Sequence, residues 1–182
     1  MNQTTKQIVF SGTCVALATV IATCIKLPSL PFGGSITLFS MLLICLTGYW
    51  FGPVTGFCAS VAFALMQYIT GPYFVHPVQV ILDYLCAFGA LGTSGFFCKR
   101  KNGLTIGYIV SVMLRLFFAC LSGIFFYTEY IHDPKADIYA ILTGIIYNCS
   151  YILPEMIITL ILINITPVKN MLNTLKQIVT SK

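Results

Sequence analysis

The sequence predicts an all-α integral membrane protein with six transmembrane helices, and three observations lead there. Of the 182 residues, 58% are hydrophobic and only 8% charged, with a mean hydropathy of +0.91. A soluble domain of that balance lacks the polar groups needed to cover its surface. The apolar runs are near the ~20 residues that a helical span requires. They also lack alternation and exceed the roughly 10 residues of a barrel strand, so the backbone must satisfy itself as helix.

The spans fall at about 7–27, 36–51, 53–71, 77–98, 104–130 and 138–165, in one membrane domain covering 1–182. The first has Lys6, an apolar run and small residues, as a signal peptide would, but five more spans follow and an uncleaved helix is simpler. It carries Cys14, Ala18 and Ala22 at four-residue spacing, and also Gly12 and Ala16. Such small-residue faces let helices approach closely, within a monomer or against another membrane subunit. Residues 27–35 hold two prolines and two glycines and read as a bent connector able to act as a lid. Tyr49 and Trp50, in the turn before Pro53, are candidate interfacial anchors. Pro154 is expected to kink the sixth span. Residues 168–181 place Met171, Leu172, Leu175, Ile178 and Val179 on one face, the pattern of an amphipathic helix at the inner membrane surface.

Orientation follows from the basic residues. One side of the predicted spans collects Lys6, Lys99, Arg100, Lys101, Lys169, Lys176 and Lys182; the other has Lys26 and Lys135 with Glu129, Asp133 and Asp137. The positive-inside rule puts both termini in the cytoplasm. The net charge of +5 then reflects topology and contact with anionic lipid rather than nucleic acid. The eight cysteines are scattered singly with no CxxC, as small apolar fillers are.

Function is sought where polar groups enter the membrane, because charge in hydrocarbon costs several kcal/mol and faces a cavity or a partner. By the helical rise of about 1.5 Å per residue, Arg115 lies roughly 16 Å and Glu155 roughly 15 Å from the inner ends of consecutive antiparallel spans. They are expected to pair or to share a polar network. Asp83 lies only about 9 Å below the outer end of the fourth span, and Arg115 is expected to be too far toward the cytoplasm to neutralise it. A lone carboxylate there either holds a proton or meets an external cation; a ligand cation is the favoured reading. Gln79 shares a helix face with Asp83. Tyr73, Tyr84 and Tyr127 fall at a comparable depth, as does Phe32 if the first loop folds inward. Aromatic rings around a carboxylate suit a flat cationic ligand, although tyrosines also populate interfacial belts. Asn148, Tyr151 and Glu155 form one polar stripe on the sixth span. Asn148 there either binds the ligand or joins helices. No catalytic constellation, metal motif or nucleotide-binding loop is visible. The chain is therefore expected not to be an enzyme, to need no cofactor and to be unable to use ATP by itself.

The strings Gly33-Gly34-Ser35-Ile36-Thr37-Leu38, Gly71–Phe88 with its His76-Pro77-x-Gln79-x-x-Leu82-Asp83-Tyr84 core, Arg115-Leu116-Phe117 with Ser122-Gly123, and Tyr147-Asn148 with Pro154-Glu155 make the chain resemble the ThiT-type thiamine-binding S components of bacterial energy-coupling factor (ECF) transporters. The resemblance spans nearly the whole length. It implies a six-helix S-component fold in the bacterial plasma membrane. It further implies an outward-facing site for thiamine and association with a transmembrane T subunit and two ATPase subunits. Position by position, it implies Asp83 as the acid near the ligand, with Tyr84, Tyr73, Gly123 and Asn148 around it. It also shifts the small-residue face of Cys14, Ala18 and Ala22 toward subunit docking. Four positions depart from the family pattern. A helix-five histidine falls on Ala119, a tryptophan on Tyr127 and a helix-six tyrosine on Thr143; the first-loop tryptophan has Phe32 as its nearest counterpart. These changes are expected to reshape the pocket, which leaves a thiamine precursor or another flat cationic heterocycle as alternative ligands. A stand-alone proton-coupled transporter using Asp83 or Glu155 is the other class of reading.

Overall fold

Long apolar stretches become long helices, and the connections between them set the ends of the bundle. The computed structural model describes residues 2–25, 27–29, 34–71, 77–130 and 134–181, with side chains described for all of these but 27–29, 125–130, 134–138 and 140. In chain order the elements are α1 (Gln3–Cys24), β1 (Leu27–Ser29), β2 (Ser35–Ile36), α2 (Ser40–Phe51), α3 (Pro53–Thr70), α4 (Pro77–Phe97), α5 (Gly103–Tyr130), α6 (Pro134–Asn164) and α7 (Thr166–Thr180). Helices α1, α3, α4, α5 and α6 contain segments long and apolar enough to cross a membrane. The two short strands pair antiparallel.

The second predicted span differs. Helix α2 has only 12 residues, about 18 Å at the helical rise, well short of a ~30 Å hydrocarbon core. Residues 36–39 stay outside it. Ile36 pairs in the ribbon, and Leu38 and Phe39 take positive φ angles of 30° and 71°. A buried carboxylate on α6 holds the start of this turn: Thr37 N–H donates to Glu155 Oε2 at 3.0 Å. Pro154 lies inside α6 without ending it.

Helix α4 is continuous but not uniform. It is π-helical over Ile81–Cys86 and 3-10 over Ala90–Phe97. The π-helical stretch carries Asp83 and Tyr84, and such widened turns occur frequently at functional sites. The 3-10 stretch packs against α2 and α3 through glycines. A Cβ on Gly92 would fall 2.7 Å from the Phe57 backbone, and one on Gly95 would fall 2.5 Å from Pro53 Cα. Only glycine lets these backbones approach so closely.

Both termini lie at one end of the bundle. Lys6 Nζ donates to the Ser181 carbonyl at 2.9 Å. Lys176 Nζ donates to the Cys98 carbonyl at 2.8 Å and lies 3.7 Å from the Tyr49 ring centroid. The basic 99–101 turn therefore sits at that same end, as the charge pattern requires. Helix α7 is amphipathic as expected, yet its apolar residues divide between two surroundings. Leu172 and Val179 are buried against the bundle, while Met171 and Ile178 are more than half exposed.

The small residues of α1 face inward. Cys14, Ala18 and Ala22 are all at most 6% exposed and pack within this chain's own core. The docking face expected there is thus corrected: these residues let α1 approach the neighbouring helices of its own bundle. Gly12 and Ala16 occupy the exposed side, among Ile8, Val9, Leu17 and Val20.

Candidate ligand-binding site

A cavity of about 240 Å³ opens at the end of the bundle opposite the termini, between the last turns of α1 and α3, the first half of α4, and α5 and α6. That volume is near the lower end of small-molecule sites, which run about 300–1,000 Å³. Its wall includes Gln79, Asp83, Tyr84, Arg115, Ala119, Ser122, Gly123 and Asn148. Six of the residues singled out in the sequence as ligand contacts (Gln79, Asp83, Tyr84, Ala119, Gly123 and Asn148) are thereby gathered from three helices.

Two aromatic groups contribute to the wall of the site. On the α3–α4 side, Tyr68 and Tyr84 meet edge to face at 5.3 Å, Tyr84 and Phe88 lie 6.2 Å apart, and Phe88 and Phe63 meet at 5.3 Å. The Tyr84 hydroxyl donates to the Gly71 carbonyl at 3.2 Å, tying α4 to the end of α3. On the α6 side, Tyr147 and Tyr151 meet at 5.7 Å.

Asn148 lies at the crossing of α5 and α6. Its amide donates to the Ala119 and Gly144 carbonyls at 3.2 and 3.0 Å, and its Oδ1 accepts from the Tyr151 hydroxyl at 2.7 Å. Both amide protons are therefore engaged within the protein, and one carbonyl lone pair is left for a ligand. The two readings of Asn148 combine: it joins the helices and also lines the cavity. Ala119, Gly123 and Gly144 give the close approach that brings Asn148 to the α5 backbone.

Buried polar atoms normally have partners. On this wall Gln67 Nε2, Gln79 Oε1 and Ser122 Oγ are buried without a well-formed hydrogen bond, although the Gln79 and Ser122 side chains lie beside the Asp83 carboxyl. Leaving such a group unmatched costs about 1–3 kcal/mol. Together with Asp83 they form a polar lining inside an apolar bundle, the arrangement of a site that orients a ligand.

Of the two arrangements expected for Arg115 and Glu155, the direct ion pair is not formed. Glu155 is 2% exposed, and its carboxylate accepts from Thr37 N–H and from Thr37 Oγ1 at 3.2 Å. Arg115 instead lines the cavity, its guanidinium 4.4 Å from the Phe88 ring centroid. It lies within electrostatic range of both Asp83 and Glu155. Counting helical rise placed it too far from Asp83, because that estimate ignores the length of an arginine side chain and the widened turn in α4. Thr143 is also corrected: it is exposed, outside the cavity, with its hydroxyl donating to the Tyr139 carbonyl. Phe32 and Tyr73 lie outside the described residues, as does the side chain of Tyr127. The sequence reading missed Tyr147 as a wall residue, although its i, i+4 spacing to Tyr151 was a readable signal. It also missed Phe63, Gln67, Phe88 and Ser122.

Comparison with known proteins agrees with this architecture. Residues 8–174 match the family described as thiamine transporter protein (Thia_YuaJ). The thiamine transporter ThiT of Bacillus subtilis (strain 168) is 32% identical over 152 residues, covering 74% of this chain and 76% of that protein. The solved structure of ThiT from Listeria monocytogenes superposes with a TM-score of 0.68 at 22% identity, over 91% of this chain and 97% of that one, and so shares its fold. A family match across nearly the whole chain, with a helical membrane bundle and a polar cavity at one end, establishes that this chain belongs to the thiamine transporter family.

Proposed function

We propose that this protein is the substrate-capture (S) subunit of an ECF-type importer, taking thiamine from outside the bacterial plasma membrane. The observation that carries the reading is the cavity itself, in which Asp83, three unmatched buried polar atoms and two aromatic groups line one opening. Thiamine is flat, carries a permanent thiazolium charge and presents acceptor nitrogens on its pyrimidine. In their ionised forms Asp83, Glu155 and Arg115 sum to one negative charge, which a monocation neutralises. Asp83 offsets the thiazolium. Tyr84, Phe88, Tyr147 and Tyr151 offer ring faces to it, contacts worth about 0.5–2 kcal/mol each. Arg115, Gln67 and Ser122 donate to the ligand's acceptors, and Gln79 Oε1 accepts from its amine.

The basic end of the bundle, with both termini, faces the cytoplasm in this reading, so the cavity opens outward. In this reading uptake draws on a T subunit and two ATPase subunits for its energy. The outward side of α1 around Gly12 and Ala16 offers those partners a close-approach surface, in place of the inward Cys14, Ala18 and Ala22. Isothermal titration of the purified protein tests the ligand. Thiamine binding at micromolar affinity or tighter is expected, and saturation by an isolated pyrimidine precursor with no response to thiamine would overturn it.

A further inference from the structure

Helix α6 carries two tyrosines on its cavity face, at 147 and 151. Their surroundings show what they do. Gly34 N–H donates to the Tyr147 hydroxyl at 2.7 Å. A Cβ built on Gly34 would fall 2.5 Å from that hydroxyl and 3.0 Å from Tyr151 Cδ1. The backbone at Gly34 thus rests directly on both rings, and any other residue there would push it off. Three residues later, Thr37 is held by Glu155 through its N–H and hydroxyl.

Tyr147, Tyr151 and Glu155 are spaced i, i+4, i+8 along one edge of α6. Eight helical residues rise about 12 Å, and three extended residues span about 10 Å. The segment Gly34–Thr37 therefore lies along α6 with matched repeat, gripped at both ends. Gly34, Ser35 and Thr37 also line the cavity.

We propose that Tyr147 is a retention-determining residue of the site: its ring forms part of the ligand wall while its hydroxyl fastens the strand that borders the opening. The ligand part of this inference rests on the thiamine reading above; the fastening part does not. Losing one neutral hydrogen bond of about 0.5–1.5 kcal/mol corresponds to roughly a threefold to tenfold change. In full-length protein without thiamine, Tyr147→Phe is expected to speed hydrogen–deuterium exchange at Gly34 by about that factor. Release of radiolabelled thiamine in a chase is expected to speed similarly. Exchange at the wild-type rate would overturn the fastening, whether or not thiamine binds. Faster exchange with unchanged thiamine release would overturn the retention role. A second pair of variants guards against simple misfolding. Gly34→Ala is expected to speed release in the wild-type background and to have less effect beside Tyr147→Ala, where the two closer contacts are gone and only that with Tyr151 stays. Equal effects in both backgrounds would also overturn the proposal.

Discussion

The two ends of this bundle are built on opposite principles. At the end holding the termini, α2, α3 and α4 touch backbone to backbone through Gly92 and Gly95. Some polar side chains there are matched internally: Ser94 Oγ donates to the Cys45 carbonyl at 2.9 Å, and the Thr93 and Ser111 hydroxyls meet at 2.9 Å. Others, Trp50 Nε1, Tyr108 Oη and Thr159 Oγ1, are buried without a well-formed hydrogen bond. At the other end the same α3 and α4 carry aromatic and amide side chains in place of glycines. They stand apart around a cavity, with Gln67, Gln79 and Ser122 unmatched. One helix, α4, runs through both regions, tightening to 3-10 where it packs and widening to π where it presents Asp83. The contrast teaches that rigidity and recognition are separated along the membrane normal. Small residues exclude space at one end, and large polar and aromatic residues hold it open at the other.

That separation is open to attack by substitution. Asp83→Asn should have the largest effect, weakening thiamine binding by about 2–5 kcal/mol, the usual loss when one partner of a buried charge pair is removed. Titration calorimetry measures it, and a thermal midpoint near that of the wild type should accompany it. Gly95→Ala should do the reverse. Overpacking against Pro53 Cα costs about 1–3 kcal/mol of stability and should lower the unfolding midpoint in detergent while thiamine affinity in the folded fraction holds. If Gly95→Ala instead removes binding without lowering the midpoint, the two ends are coupled and the comparison fails. Ser122→Ala should be mildest, costing about 0.5–1.5 kcal/mol of binding if its hydroxyl meets the ligand. A gain in stability without loss of affinity would assign Ser122 to packing instead.

Much of the fold was legible because length and hydropathy suffice for it. The runs behind α1, α3, α4, α5 and α6 became helices within a few residues of the expected bounds. The basic residues correctly gathered both termini and the 99–101 turn at one end. The start of α2 was not legible, because Ile36–Phe39 is mostly apolar and its non-helical course is held at Thr37 by Glu155, more than a hundred residues away. Asp83 was singled out in the sequence as a buried acid, and the structure places it on the cavity wall within electrostatic range of Arg115. Arg115 was misjudged because depth along a helix says nothing about where a long side chain turns.

The sequence by itself determined that this is a helical membrane protein and how its ends are arranged. Only the tertiary structure decided which faces look inward. It turned Cys14, Ala18 and Ala22 into the core, brought Arg115 to the cavity, and set Tyr147 and Tyr151 beneath Gly34. The physical reason is the solvent. In water an apolar face must be buried, so periodicity reveals the inside of a helix; in a bilayer lipid tails and neighbouring helices are equally apolar. Hydropathy then finds the spans but cannot tell one face from another.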